Sequence, residues 1–396
     1  MEHADAASAQ RGPWHHPECD EGSRGELLDL DLLAVYSRWG LERYYDSWLN
    51  GLSALGYIDD VVDPQVQNGA TVWEMKYCTV DFDGSPIEAT GMMALPIAWW
   101  PTSTVLYSHG TSVYRYDTVS NPDVDETFDG PTPMVIFAGG GYAYLAPDLT
   151  GFGDGDSPYH RYFHRDTAAD NTMDMLIAAE DSILYRLATD GRVFSAGFSQ
   201  GGQTALAFGA EAEALGVDLQ ATAMVGGVLD PEPWFDWLLD LEDSSYLTLY
   251  GADLVVNYER IYGDVYDDTD DAFSATYADD VEALFDMSYT YVEVVDAMAP
   301  SMAELTTPDF YAELDDPDST MRQHLRDNAV TDVCLSSPIQ AWHMIDDDEV
   351  PFELGAAWAS ELEGCNDYTF TEWEDTDHLN TWHQVLPQMR DWFDTF

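Results

Sequence analysis

Short apolar runs and a helix-period segment alternate through much of the chain. The apolar runs span residues 103–111, 141–158, 192–202, 219–231, 338–351 and 368–378. A segment with helical spacing, 167–188, separates the second run from the third, and a terminal helix is predicted over 379–396. Strands that alternate with helices indicate a parallel sheet joined by right-handed crossovers. The pattern therefore predicts an α/β fold with a mostly parallel central sheet flanked by helices.

The residues before this alternation have other patterns. Residues 26–57 carry apolar positions at helical spacing and end near a glycine, which predicts one or two helices. Residues 71–96 alternate apolar and polar positions on both sides of Asp83-Gly84, which predicts a β-hairpin. Residues 1–25 have neither a basic start nor an apolar stretch, so we expect a flexible leader there.

The alternation stops between residues 232 and 332. This stretch is rich in aromatic residues and contains acidic runs such as "YDDTDDAF". It is too long to be a simple loop, so we predict a mainly helical cap inserted between two parts of the core, 26–231 and 333–396. The aromatic side chains either line an apolar substrate pocket or pack the interior of the cap. None of the acidic runs has the EF-hand spacing, which favours solvated faces over calcium loops.

The charge balance is extreme. The 396 residues include 75 acidic and 14 basic side chains, for a net charge of −61. Such a chain repels itself at low ionic strength, whereas at 1 M salt the Debye length falls to about 3 Å. We therefore predict a protein of a saline medium; the alternative is an acidic secreted bacterial enzyme with no salt requirement. Without a basic face, nucleic acid is an unfavourable partner.

Two further features bear on localisation. No apolar run reaches the length of about 18–20 residues that a membrane-spanning helix needs, so no integral membrane segment is predicted. The four cysteines lack CxxC spacing, which argues against a zinc site and permits two disulfides. We prefer a Cys334–Cys365 pair, because both residues flank the last predicted strands, with free buried cysteines as the alternative. Disulfides would accompany export, to a secreted or periplasmic location.

The segment "RVFSAGFSQGGQTALAF" contains the G-x-S-x-G pattern at residues 197–201. In a sharp strand-to-helix turn, glycines on either side of the serine let neighbouring backbone pass closely and leave the serine hydroxyl exposed. The alternative is a glycine-rich turn with a structural serine. The preceding apolar run and the following helix-forming residues favour Ser199 as a nucleophile.

A serine nucleophile needs a base and an acid that orients the base, here in the chain order Ser, Asp or Glu, His. The loop "AWHMIDDDEVPF" offers Asp347, with Asp346 and Asp348 as rivals. The later segment "DTDHLNTWH" offers His378, directly after a strand, and His383, further into a helix and better suited to a structural role. We predict Asp347 and His378.

Acyl transfer also requires hydrogen-bond donors aimed at the developing oxyanion. The backbone N–H of Gln200, next to the serine, is one candidate. The second is the N–H of Thr111, because "SHGT" at 108–111 ends a predicted strand. We expect His109 to fix this loop by packing rather than to act in catalysis.

The segments "YSHGT", "GYAYLAPDLTGFGDGDS", "GFSQGG" and "DDDEVP…DTDH" together resemble the α/β-hydrolase superfamily over residues 70–396, and within it the secretory lipases and esterases. The resemblance implies an α/β-hydrolase fold and hydrolysis of carboxylic esters by Ser199, Asp347 and His378, with no cofactor and no metal.

The substrate is less determined than the reaction. Because a net charge of −61 repels anions, we predict a small-molecule or lipid-like ester without charge, with medium-chain carboxylic esters as the central expectation. A serine peptidase on the same fold, with acidic cap residues holding the free amino terminus, is the alternative. A non-catalytic hydrolase-fold binding protein is a third possibility, although such proteins usually lack a triad member and all three candidates are present here.

Overall fold

A computed structural model describes residues 19–56, 58, 61–121, 129, 131–362, 364, 367–374 and 377–396 of the chain. Its centre is a nine-stranded sheet in the order β1-β2-β3-β5-β4-β6-β7-β8-β9. The strands are β1 Leu27–Tyr36, β2 Ala70–Val80, β3 Pro86–Pro96, β4 Thr102–Ser108, β5 Ala143–Pro147, β6 Thr189–Phe198, β7 Leu219–Val225, β8 Ile339–Met344 and β9 Tyr368–Trp373. Strands β1, β2, β3 and β5 pair antiparallel in succession, and the strands in the remaining order β5-β4-β6-β7-β8-β9 pair parallel. The mostly parallel sheet is therefore as predicted.

Helices cover both faces of the sheet, and further helices form most of the insertion. They are α1 Arg38–Leu55, α2 Thr132–Gly140, α3 Arg165–Asp181, α4 Ile183–Ala188, α5 Gln200–Leu215, α6 Pro231–Leu239, α7 Ser245–Tyr262, α8 Thr269–Ala272, α9 Val281–Leu284, α10 Tyr291–Ala297, α11 Met302–Leu305, α12 Pro308–Asp315, α13 Thr320–Asp327, α14 Phe352–Leu362 and α15 His378–Phe393. The apolar residues of α3 and α5 join one buried cluster, and those of α1, α2 and α15 join another. Neighbouring residues of β6, such as Val193 and Phe194, contribute to different clusters, as the period-two geometry of a strand requires.

The prediction of helix over 26–57 is wrong in its first part, because residues 27–36 form strand β1. The segment "LDLDL" at 28–32 alternates Leu with Asp, a period that suits an edge strand with one polar side. Pairing with β2, from Leu27 opposite Tyr77 to Tyr36 opposite Ala70, engages the backbone groups along one side of this segment. The helical spacing is realised only after Ser37, which caps α1 by accepting a hydrogen bond from Gly40 N.

The predicted hairpin is present, and it also anchors the start of the described chain. Strands β2 and β3 pair from Ala70 opposite Pro96 to Val80 opposite Pro86. Cys19 forms a disulfide with Cys78 of β2, so residues 19–25, the described end of the predicted flexible leader, are tied to the sheet. The first 18 residues lie outside the described part of the chain.

The insertion between β7 and β8 is mainly helical, with α6–α13 and a single isolated bridge between Phe273 and Thr306 in its described residues. Its apolar side chains, such as Trp234 and Leu254, belong to the same buried cluster as α3 and α5. The insertion therefore packs on the sheet's own core.

Cys334 is disulfide-bonded, and none of the described cysteines is free. Its predicted partner, Cys365, lies outside the described residues. Within the described ranges, no helix combines the length and the apolar character needed to cross a lipid bilayer.

Candidate active site

Ser199 occupies the turn between β6 and α5. Its backbone lies in an unusual region, with φ 52° and ψ −119°, and its side chain makes no capping hydrogen bond to α5. A serine at a helix N-terminus ordinarily caps the first turn. Here the backbone holds the residue instead, through Ser199 N donating to Val225 O at 3.0 Å and Gly202 N donating to Ser199 O at 2.9 Å. The hydroxyl is consequently available for another use.

Two glycines make this turn possible by steric means. A Cβ on Gly197 would lie 2.0 Å from Gly201 O, and a Cβ on Gly201 would lie 2.0 Å from Ser108 O. Real Cβ atoms do not come this close to backbone oxygens, so strand β6, the end of β4 and the first turn of α5 pack at a distance that only glycine permits. The G-x-S-x-G spacing thus has the steric role expected from the sequence.

His378 begins α15, directly after the loop that follows β9. Its Nδ1 lies 2.9 Å from Asp347 Oδ2 and 3.0 Å from Asp347 Oδ1, and both side chains are almost completely buried. Asp347 Oδ1 also accepts hydrogen bonds from Glu349 N at 3.0 Å and Val350 N at 2.7 Å. The carboxylate is therefore fixed by its own loop and oriented toward the imidazole.

The alternative candidates for the acid and the base do not take part in this side-chain pair. Asp346 is exposed, and Asp348 Oδ1 accepts from the backbone N–H of His378 at 3.2 Å rather than from its ring. His383 is buried within α15 and is not among the described residues that line the cavity next to Ser199.

The electrostatics of the pair favour an ionised carboxylate and a basic imidazole. Burial alone would raise the pKa of Asp347, but the His378 charge and hydrogen bonds lower it below its usual value. Burial would likewise lower the pKa of His378; the nearby carboxylates of Asp347, Glu349 and Asp348 outweigh it and raise the pKa to about 9. The ring is thus a stronger proton acceptor than a free histidine.

Ser199 and His378 line one cavity of about 340 Å³, together with Thr111. The His378 ring packs on Phe198, with ring centroids 4.8 Å apart, and a Cβ on Gly226 would lie 2.9 Å from His378 Cε1. Within the described part of the chain, His378 Nε2 is buried without a hydrogen-bond partner. In free enzymes the contact between nucleophile and base is often long and shortens when substrate binds.

The candidate oxyanion residues lie beside the serine. Gln200 follows it at the start of α5, where the helix dipole places partial positive charge. Thr111 lines the cavity that Ser199 also lines, and its Oγ1 is 3.0 Å from the Tyr162 hydroxyl. His109 is buried, with ring nitrogens 2.7 Å from Gly110 O and 3.1 Å from Asp148 O, contacts that fix a loop.

Sequence reasoning missed several residues of the site. Asp129 Oδ2 accepts from Gly110 N at 3.0 Å and from the Tyr107 hydroxyl at 3.1 Å, next to Thr111. Glu349 lines the cavity, and its Oε2 accepts from the Tyr250 hydroxyl of α7 at 2.8 Å. Glu349 falls in the acidic loop that the sequence singled out, whereas no local pattern marks Asp129.

The cap contributes aromatic side chains to the same cavity. Tyr246 and Tyr250 of α7 and Tyr291 of α10 line it. The Tyr246 hydroxyl donates to Asp348 Oδ2 at 3.3 Å. No group of three His, Cys, Asp or Glu side chains within the described residues is arranged to hold a metal ion.

Comparisons with known proteins identify relatives of this architecture. A family model described as the α/β hydrolase family matches residues 105–390. None of the curated proteins searched matches the chain.

The solved structures similar to it include the following three. A rice cell wall degrading esterase, LipA from Xanthomonas oryzae, has 23% identity and a TM-score of 0.80, over 94% of this chain and 99% of that chain. A putative hydrolase from Legionella pneumophila has 20% identity and a TM-score of 0.82, over 93% and 98%. Candida antarctica lipase A has 14% identity and a TM-score of 0.65, over 90% and 78%. At these identities the likeness establishes the fold.

Proposed function

The chain belongs to the α/β-hydrolase family, and on that premise we propose that it is a serine hydrolase of carboxylic esters with Ser199, His378 and Asp347 as its catalytic triad. The observation that carries this proposal is the buried His378–Asp347 hydrogen bond, together with the cavity that both His378 and Ser199 line. The esterase and lipase among the structural neighbours support the reaction class.

The proposed mechanism has two acyl-transfer steps. Ser199 Oγ attacks the ester carbonyl carbon while His378 Nε2 takes the hydroxyl proton, and Asp347 stabilises the imidazolium. The N–H groups of Thr111 and Gln200 stabilise the oxyanion. The imidazolium returns the proton to the departing alcohol, and water then attacks the acyl-enzyme by the same route to release the acid.

The proposed substrate is an ester without negative charge, with medium-chain carboxylic esters as the central expectation. The cavity is lined by the carboxylates of Asp348 and Glu349 and by Tyr246, Tyr250 and Tyr291, with no Lys or Arg side chain among its described lining residues. An anionic ester would meet repulsion there as well as from the −61 net charge. The tyrosine rings offer apolar area for an acyl or aryl group.

We also propose that the chain is exported and works in a saline medium. The Cys19–Cys78 disulfide is typical of an oxidising compartment. The net charge of −61 is best tolerated where salt screens it. We further propose that residues 232–332 act as a cap over the site, since α7 and α10 supply part of the cavity wall.

The test is a panel of p-nitrophenyl esters of increasing chain length, with aminoacyl-anilides for comparison and a fluorophosphonate probe for the serine. We expect ester turnover, probe labelling, and a fall in kcat of about 10⁴–10⁶-fold for Ser199→Ala. Ser195→Ala is the matched control, since its buried hydroxyl lies on β6, four residues before Ser199, and donates to Ala205 O. A Ser199→Ala variant with a tenth of the wild-type rate would disprove the triad.

Two other results would change the assignment. Anilide turnover above ester turnover would favour the peptidase alternative. Absence of both labelling and turnover would favour the non-catalytic binding protein.

A further inference from the structure

Two buried side chains from the segment after β5 each contact one of the candidate oxyanion residues. His160 Nε2 lies 2.9 Å from Gln200 Nε2, and the Tyr162 hydroxyl lies 3.0 Å from Thr111 Oγ1. Both side chains are at least nine-tenths buried, and their rings are 5.8 Å apart. A single short stretch of chain thus contacts two residues that lie almost 90 positions apart in the sequence.

The proton positions on His160 follow from its two partners. Its Nδ1 is 3.2 Å from Thr150 O, and a carbonyl oxygen can only accept, so Nδ1 carries the proton. Nε2 is then the acceptor of a hydrogen bond from the Gln200 side-chain amide. Burial lowers the pKa of His160 to about 3, which keeps the ring neutral and the acceptor available.

The residue between them anchors this stretch to a different part of the sheet. Arg161 Nε and Nη2 each donate to a different oxygen of Asp81, both at 2.7 Å, and both side chains are less than a tenth exposed. The guanidinium also stacks over Phe82, 4.7 Å from the ring centroid. Asp81 lies in the turn between β2 and β3, whose strands pair over eleven positions. Bidentate pairs of this kind fix orientation as well as distance.

We propose that His160, Arg161 and Tyr162, here called the oxyanion clamp, position the backbone donors of Gln200 and Thr111, with Arg161 holding the clamp against the β2–β3 hairpin. The inference rests on the proposed ester hydrolysis. The three are positioning residues, since they act through Gln200 and Thr111 rather than on substrate. Oxyanion donors work because they are fixed before the charge develops. Loosening the clamp therefore lowers the stabilisation of the transition state more than the binding of the ester.

Tyr162→Phe tests the proposal by removing one hydroxyl. We expect kcat to fall about 10-fold with KM nearly unchanged. This fall is smaller than the one that removal of an oxyanion donor itself would cause. Phenylboronic acid, which forms a tetrahedral adduct with a catalytic serine, should bind more weakly by about the same factor. Tyr185→Phe is the matched control, because its buried hydroxyl is 2.7 Å from Thr104 Oγ1 of β4 and neither residue is among the described residues that line the cavity. It should lower Tm comparably and leave kcat and boronate affinity unchanged.

His160 supplies the second pair of variants. His160→Leu removes the acceptor and should lower kcat as Tyr162→Phe does, whereas His160→Gln offers an amide oxygen in its place and should recover most of the rate. Equal kcat losses in Tyr162→Phe and Tyr185→Phe, or in His160→Leu and His160→Gln, would overturn the clamp while leaving the ester hydrolase intact. A wild-type protein that neither turns over esters nor reacts with the fluorophosphonate would overturn the proposed function and the clamp with it.

Discussion

Asp347 Oδ2 lies 2.9 Å from His378 Nδ1 with the aspartate side chain fully enclosed, although the two are 31 positions apart in sequence. Asp347 also accepts hydrogen bonds from two backbone N–H groups of its own loop. The carboxylate therefore keeps its position whether or not the histidine is charged. A carboxylate held in this way stabilises the imidazolium and fixes the ring with Nε2 directed away from the carboxylate. The pair therefore determines the pH range in which His378 can act as a base.

The pH dependence of kcat/KM should have its acidic limb above pH 6.5, in the alkaline range. Nearby carboxylates overcome burial and raise the pKa of His378 to about 9, and below its pKa the imidazolium cannot accept the serine proton. Activity should therefore rise with pH as the ring loses its proton. Ester hydrolysis from pH 5 to 10, at constant high salt, measures this limb; a midpoint at or below 6.5 would contradict the prediction.

Glu349→Gln separates the contributions to that limb. Glu349 is buried and is one of three carboxylates that raise the pKa of His378. In the variant, the amide oxygen of the glutamine can still accept the hydrogen bond from the Tyr250 hydroxyl. Removing its charge should move the acidic limb to lower pH. Asp346→Asn, in the exposed part of the same loop, is the control and should leave the limb in place.

Gly201→Ala should both destabilise the fold and abolish most activity. The new Cβ would lie 2.0 Å from Ser108 O, so β4 and α5 must separate, and overpacking of this kind costs about 1–3 kcal/mol or more. The displacement also moves Ser199 and the donor at Gln200. Denaturant unfolding and ester turnover measure the two effects. Gly51→Ala, within α1 and with open space at its Cβ, should be neutral or slightly stabilising.

The order of the core elements could be predicted because each strand carries its own local pattern. The residues singled out by motif spacing, Ser199, Thr111 and His378, do line one cavity. Strand β1 was missed because its apolar residues fit both helical and period-two spacing, and pairing with β2 decides between them. Helix α2 was missed because almost all of its residues are buried, so it has no polar face to reveal a period.

The contacts that complete the site were beyond local patterns altogether. His160 and Gln200 are 40 positions apart, and Tyr162 and Thr111 are 51 apart. Neither pair belongs to a repeating motif. The two residues of each pair come close because β5, β4 and β6 are neighbouring strands of the sheet. Such contacts follow from tertiary packing, which the periodicity of apolar and polar positions in a single sequence does not reveal.

Loss of the Cys19–Cys78 disulfide should destabilise the protein without changing the site. The bond joins residues 59 positions apart, and closing a loop of that length is worth about 4 kcal/mol in the chain-entropy model. Cys19→Ser with Cys78→Ser should lower Tm and the denaturation midpoint while kcat per folded molecule stays the same. Any sensitivity to dithiothreitol that remains in this double variant reports the bridge of Cys334. An unchanged midpoint would show that the bond does not restrain the unfolded chain as the model requires.

Salt should stabilise the fold by screening its own charge. With a net charge of −61, self-repulsion is strong when the Debye length is about 10 Å, at 0.1 M salt, and weak when it is about 3 Å, at 1 M. We expect Tm to rise steadily from low salt to molar NaCl, and a flat profile would refute the saline-medium proposal. A variant with Asp279→Asn, Glu313→Gln and Asp315→Asn, all exposed in the insertion, distinguishes screening from other salt effects. It should be more stable than the wild type at low salt and should lose that advantage at 1 M. At that salt concentration, screening already removes the repulsion that the substitutions relieve.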